Sequence, residues 1–114
     1  MAFQPVTPVA FSANWFNGVK QQFTSPVVKD LTGTAVDLST WNNISCNLEP
    51  TTAGPIEGSS AVGIATGNAD GTISLILDNS FTPAAPGQCR MLIFGNKASG
   101  DANQLLASGT LTVI

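Results

Sequence analysis

Residues 68–77 read Asn-Ala-Asp-Gly-Thr-Ile-Ser-Leu-Ile-Leu, and this stretch decides the fold class. Its first four residues are typical of a tight hairpin turn, because Asn, Asp and Gly tolerate the backbone angles that such turns require. After the turn, Ile73, Leu75 and Leu77 alternate with mostly polar neighbours, and a period of two is typical of a half-buried β-strand. The stretch therefore predicts a β-hairpin.

The same pattern continues on both sides of the hairpin. Clusters of turn-forming residues, namely Gly, Pro, Ser, Thr and Asn, recur roughly every ten residues. Because these residues interrupt helices, the sequence predicts no long helix. Between these breaks, alternating or β-branched runs predict further strands, with Pro26 placing the first of them at an edge or bulge. The principal runs are Val19–Val28, Ile44–Glu49, Ala61–Thr66, Ile73–Leu77, Gln88–Gly95 and Leu105–Ile114, with a short strand or bend at Val36–Trp41. We predict an all-β, antiparallel β-sandwich of about seven strands over residues 19–114.

Residues 1–18 differ from this body and predict an extended N-terminal arm. Pro5 and Pro8 keep the backbone extended, and several large apolar side chains accompany them. Such side chains typically anchor a protein on a neighbouring subunit. The predicted anchors are Phe3, Val6, Val9, Phe11, Trp15 and Phe16. An alternative is that the tryptophans form an exposed platform for sugars, although no cluster of polar sugar-binding residues lies nearby.

Composition excludes several classes of function. The chain has 114 residues, of which 43% are apolar and only 10% are charged, whereas soluble domains carry roughly 25%. A surface so poor in charge predicts that neighbouring proteins cover much of it. The four basic residues are scattered, so we expect no binding to nucleic acid or to a membrane surface. No apolar run is long enough to cross a bilayer, and no signal peptide is recognisable at the N-terminus.

The residues that usually carry catalysis are scarce. The chain contains no histidine and no tyrosine, so a serine or cysteine nucleophile would have no imidazole base. Its seven carboxylates are dispersed among turns and strand ends. The run from Thr66 to Leu77 resembles a calcium loop only faintly, because both ends lack an acidic ligand. We predict no enzymatic activity, no catalytic residue, no cofactor and no metal site.

Two cysteines, Cys46 and Cys89, fall on inward-facing positions of predicted strands. If these were the second and sixth strands of a sandwich, a disulfide between the two sheets would be possible. Nothing in the sequence indicates an oxidising compartment, so free buried thiols are the preferred interpretation.

Four segments of the body resemble the immunoglobulin-like domain at the N-terminus of phage baseplate upper proteins and related virion proteins. They are Asp30–Ser39, Asp70–Leu75, Pro86–Leu92 and Ser108–Val113, and the resemblance spans about residues 19–114. Cys89 stands where these domains tend to have tyrosine. The resemblance implies an immunoglobulin-like fold and a structural role in a phage particle.

A free-standing domain of this kind resembles capsid decoration, or cement, proteins, which bind the outer shell and stabilise it. The expected partners are the major capsid protein or other virion proteins, with the chain as a homo-oligomer in a virion assembled in the host cytoplasm. Two alternatives stay open. The first is an adaptor in the phage tail or baseplate, and the second is a module that binds carbohydrate on the host surface.

Overall fold

The computed structural model describes residues 5–16, 19–50, 60–61, 64–77, 87–97 and 103–114. This part of the chain is all-β, with one turn of 3-10 helix at Leu38–Thr40 and no α-helix. The strands are β1 (Val6–Thr7), β2 (Val9–Ala10), β3 (Ala13–Trp15), β4 (Gln21–Thr24), β5 (Lys29–Asp30), β6 (Asn42–Pro50), β7 (Ser60–Ala61), β8 (Ile64–Gly67), β9 (Ile73–Leu77), β10 (Gly87–Asn96) and β11 (Gln104–Val113).

The strands form three sheets. The largest runs in the order β2-β11-β10-β6-β7, with β3 also paired to β11. In it β6, β10 and β11 are antiparallel, whereas β2 and β3 run parallel to β11. The second sheet has the order β4-β9-β8 and is antiparallel throughout. A two-stranded sheet joins β1 to β5.

The hairpin predicted at residues 68–77 is confirmed. Gly71 adopts a φ of 90°, which a residue with a side chain rarely takes. The carboxylate of Asp70 accepts a hydrogen bond of 3.1 Å from the backbone N–H of Thr72, and this closes the turn. Beyond it β9 alternates strictly, with Ile73, Leu75 and Leu77 fully buried.

One hydrophobic core lies between the inner faces of the two larger sheets. The inward residues of β9 meet those of β10, where Cys89, Met91 and Ile93 are buried as the alternation predicted. In the last strand a period of two predicts Ala107, Gly109, Leu111 and Val113 on one face, and the buried residues of β11 also include Leu106. The register between β10 and β11 shifts between Ile93 and Phe94, so a bulge turns Leu106 and Ala107 both inward.

The described part of the predicted extended arm, residues 5–16, pairs within the domain instead of extending away from it. Residues 9–15 are strands of the largest sheet, and the backbone N–H of Phe11 donates to the carbonyl of Ser108 at 2.9 Å. Because β11 offers these strands an edge, their apolar side chains pack into the chain's own core. Phe11 and Trp15 are therefore buried, and Val6 is buried from β1, which pairs with β5.

The other predicted anchors have separate outcomes. Val9 is partly buried, and its side chain also packs against the chain's own core. Phe16 is 56% exposed and stays available to a partner. Phe3 lies outside the described residues.

The strand count also differs from the prediction of about seven. The run 19–28 divides, because Pro26 interrupts the pairing and the chain resumes as β5 at Lys29. The segment 36–41 forms the 3-10 turn rather than a strand, with the side chain of Asp37 accepting from the N–H of Ser39. The residues between these elements predict loops over 50–59, 78–87 and 96–103, and most of them lie outside the described residues. Among those described, Pro50, Gly87 and Asn96 belong to strands, so β6 and β10 are longer than predicted.

Candidate interaction surfaces

The two cysteines are free and buried, which confirms the preferred interpretation. They lie on neighbouring strands of one sheet, where Cys46 is opposite Ile93 and Cys89 is opposite Pro50. An offset of four residues corresponds to roughly 13 Å along a strand, well beyond the reach of a disulfide. The alternative that they bridge opposite sheets is therefore wrong.

Burial also makes both thiols unreactive. Removal from solvent raises the pKa of Cys46 to about 12 and that of Cys89 to about 11. The thiolate is the nucleophilic form of cysteine, so both side chains are protonated and inert at neutral pH. Neither cysteine offers a nucleophile at the surface.

Three of the carboxylates shape turns. Each accepts hydrogen bonds from a Ser or Thr two residues later, and these bonds lower the pKa of the carboxyl group below its usual value. The pairs are Asp30 with Thr32, Asp37 with Ser39, and Asp70 with Thr72. Asp37 and Asp70 are exposed, Asp30 is half-buried, and the three are far from one another in sequence, so their geometry indicates local structure rather than paired acid–base chemistry.

Neither metal-binding clusters nor membrane-crossing helices are found in the described ranges. Within them, no three His, Cys, Asp or Glu side chains are grouped so that they could hold a metal ion. The same ranges contain no helix with the length and hydrophobicity needed to cross a membrane.

Both tryptophans are buried, which removes the exposed aromatic platform considered for sugar binding. Trp15 is fully buried, and its indole N–H donates to the carbonyl of Val19 at 2.6 Å. Trp41 is 7% exposed, and its indole N–H is buried without a hydrogen-bond partner among the described residues. Neither ring presents a face on which a sugar could stack.

An exposed apolar patch lies at the end of the molecule where β11 finishes. It consists of Phe16, Val19 and Ile114, each more than half exposed, and we call it the end patch. The residues are held together by backbone hydrogen bonds, from Val19 N–H to the carbonyl of Phe16 at 3.0 Å and from Ile114 N–H to that of Trp15 at 2.9 Å. The end patch is thus tied to the largest sheet.

A polar groove lies on the outer face of the largest sheet. It is an open cavity of about 260 Å³ beside β3, and every side chain in it is uncharged. The lining residues are Ser12, Ala13, Asn14, Gln88, Thr110 and Thr112. Hydroxyl and amide groups can donate and accept hydrogen bonds, so this polar groove suits a neutral polar ligand such as a sugar or a peptide backbone.

Comparison with known proteins adds no relative. No protein family matches the chain, and no similar sequence is found among curated proteins.

The sequence held a signal for the N-terminal strands that the two prolines obscured. From residue 9 to residue 15, odd positions are apolar and even positions are small or polar. Val9, Phe11, Ala13 and Trp15 turn inward, and Phe16 is the next outward residue. This period of two distinguishes Phe16 from its buried neighbours.

Proposed function

We propose that this chain is a non-enzymatic structural protein of a phage particle, and that it decorates the outer capsid through an immunoglobulin-like domain. The main observation that supports this proposal is the end patch. Large apolar side chains on a protein so poor in charge are suited to burial against another subunit.

The strand order supports the immunoglobulin-like part of the proposal. In such domains, strands A, B, E and D form one sheet and strands C, F and G the other. Here β4, β9 and β8 occupy the places of B, E and D, while β6, β10 and β11 occupy those of C, F and G. The cysteines then stand on C and F, and not on the B and F strands that a disulfide joins in antibody domains.

The end patch replaces the arm as the site of attachment. Phe16 is the one predicted anchor that is exposed among the described residues, and Val19 and Ile114 extend its apolar surface. A central aromatic residue surrounded by smaller contacts is the usual composition of an energetic anchor. Attachment at many equivalent places on a shell would add avidity.

Copy number tests where in the particle the chain resides. Purified particles are separated on a stained gel, and the band of this chain is quantified against the major shell protein. We expect hundreds of copies per particle for a decoration protein. A few to a dozen copies would instead favour a tail or baseplate adaptor, and absence from particles would overturn the virion role.

Binding to shells that lack the chain tests the end patch. Phe16→Ser should weaken binding at least tenfold, since truncating an aromatic anchor typically removes about 2 kcal/mol or more. The matched control is Leu31→Ser, because Leu31 is 71% exposed on a separate turn. Equal loss in both variants, or no loss in Phe16→Ser, would contradict attachment through the end patch.

The polar groove favours a second candidate function, a carbohydrate-binding module. A glycan bound there would shift the backbone NMR signals of Thr110 and Thr112 and leave those of Val19 and Ile114 unchanged. NMR shifts that saturate as the glycan concentration rises, together with absence of the chain from phage particles, would favour this candidate over the decoration role.

A further inference from the structure

The outer edge of β4 is open in the described part of the structure. β1 lies beside the continuation of this strand, where it pairs with β5. At Pro8 it leaves that sheet and joins β11 as β2. As a result Gln21–Thr24 pairs with β9 on one side, and no described strand pairs with the other side.

The backbone groups on this edge can be assigned from the pairing on the other side. The N–H of Ser25 donates to the carbonyl of Ile73 at 2.9 Å, so Ser25 forms a hydrogen-bonded pair with β9. Such pairs alternate along an antiparallel ladder. Gln21 and Phe23 therefore also bond to β9, and the N–H and C=O groups of Gln22 and Thr24 point outward.

The open edge of β4 lacks the devices that usually protect an edge strand. Charged residues, proline and bulges prevent association of such edges in most proteins. Gln21–Thr24 contains none of these, although Lys20 and Pro26 flank it.

Other edges of the described sheets are shorter, partly covered or irregular. β2 and β3 span two and three residues with a break between them, and β7 spans two. The end of β8 is covered by the 3-10 turn, because Gly67 packs directly against the backbone carbonyl of Leu38. β6 pairs with β7 only at Asn47 and Leu48, and its preceding residues are irregular because Asn43 has a φ of 55°. β4 is thus a regular, continuous edge of four residues that no described strand covers.

We propose that β4 pairs antiparallel with β4 of a second copy of this chain across a two-fold axis. The alternation fixes the register, because outward groups must meet outward groups. Gln22 then lies opposite Thr24 of the partner subunit, and Thr24 lies opposite the partner's Gln22. Each of these two pairs exchanges two backbone hydrogen bonds, so four bonds join the two three-stranded sheets into one of six strands.

The partly exposed side chain of Phe23 favours a second copy of this chain as the strand that pairs with β4. Its side chain lies on the inner face of β4 and packs against the core, yet it stays partly exposed at the edge. In the proposed register Phe23 lies opposite Phe23 of the partner subunit in a non-hydrogen-bonded pair, the arrangement that brings side chains closest. The symmetry thus supplies the apolar surface that covers Phe23.

Charge does not oppose the pairing. No residue of β4 is charged, and the two copies of Lys20 would be separated by six residues of strand, roughly 20 Å. That separation exceeds the screening length of about 8–10 Å at physiological salt. The contact is short, so we expect a weak dimer in solution that high local concentration on a particle would strengthen.

Sedimentation equilibrium of the full chain tests the dimer. We expect reversible dimerisation as the concentration approaches about 1 mM, the range that tethered neighbours experience. Gln22→Lys should weaken it at least tenfold, whereas the matched variant Asn14→Lys on β3 should not. A monomer throughout this range, or loss only in Asn14→Lys, would overturn the proposal.

A second variant and an exchange measurement separate loss of pairing from loss of folding. Thr24→Pro removes an outward N–H and is compatible with an edge strand, so the unfolding temperature should be nearly unchanged while dimerisation is lost. In the unmodified chain, the amides of Gln22 and Thr24 should become protected from hydrogen exchange as concentration rises, with Gln21 and Phe23 protected throughout.

Protection of Gln22 and Thr24 that does not depend on concentration would show that the edge is already covered within the chain and would overturn the proposal. The inference does not depend on attachment to a capsid. Shell binding and dimerisation are measured separately, so one can fail while the other holds.

Discussion

The hairpin at residues 68–77 and the N-terminal segment at residues 6–15 pack into the same core, but different contacts hold them there. The hairpin closes on itself, with the N–H of Asn68 donating to the carbonyl of Thr72 at 2.9 Å. The N-terminal segment is held by the other end of the chain, since the N–H of Thr110 donates to the hydroxyl of Ser12 across a sequence separation of 98 residues. Local chemistry thus specifies the hairpin, whereas the N-terminal strands depend on β11.

The strongest test of this comparison is Trp15→Ala. If residues 6–15 belong to the core as fully as the hairpin does, removing a buried indole should destabilise the fold by about 3–5 kcal/mol. Urea unfolding followed by circular dichroism measures this change. The control is Phe16→Ala at the adjacent exposed position, which should change stability by less than about 0.5 kcal/mol.

If both substitutions changed the unfolding free energy by the same small amount, the N-terminal segment would not be part of the core. Removal of residues 1–16 takes away both Phe11 and Trp15 from the core. It should therefore prevent folding, and so it cannot serve as a test of partner binding.

The next test addresses the contact between β11 and the N-terminal segment. A Cβ atom at Gly109 would collide with the backbone of Phe11, so Gly109→Ala should push the segment off β11. We expect a loss of about 1–3 kcal/mol, as for other overpacked sites. Hydrogen exchange should show faster exchange at the N–H of Phe11 and unchanged exchange in β9; uniform acceleration would indicate general destabilisation instead.

A smaller effect is expected for the equivalent change in the hairpin. Gly71 has a φ of 90°, and a side chain there is strained by about 1–2 kcal/mol. Gly71→Ala should lower the unfolding free energy by at least that amount, because the added Cβ would also lie 2.9 Å from the side chain of Val27 and 3.0 Å from the carbonyl of Val28. Gly33→Ala is the matched control for strain alone, because its φ is 87° and nothing lies within 4 Å of its added Cβ; equal losses in the two variants would show that the backbone angle accounts for the whole effect at Gly71.

The smallest effect is the response of the hairpin to acid. The hydroxyl and N–H of Thr72 hold the pKa of Asp70 below its usual value of 3.8. The ionised form is therefore favoured by folding, and its contribution is present above that value and is lost as the pH falls through the lower folded pKa. The difference in stability between the natural chain and Asp70→Asn should shrink on going from pH 7 to below about pH 3; a difference that is constant with pH would exclude this carboxylate as the cause.

The features that the sequence predicted correctly are mostly local. The alternation in β9 and β10, the hairpin at Gly71 and the buried free thiols follow from residue type and spacing alone. The inward turn of Leu106 could not be predicted, because the bulge depends on how β10 and β11 align. The period of two over residues 9–15 separates Phe16 from the face that carries Trp15, but the burial of that face required β11 as a partner strand.

The buried thiols of Cys46 and Cys89 make it possible to measure how often the core opens locally. A maleimide or iodoacetamide reagent can reach them only when β6 or β10 separates from the core, and the pKa then returns toward about 8.5, where thiolate forms readily. The rate of alkylation therefore counts opening events without any engineered label. In a complex with any partner, slower alkylation than in the free chain would show that the partner opposes this opening.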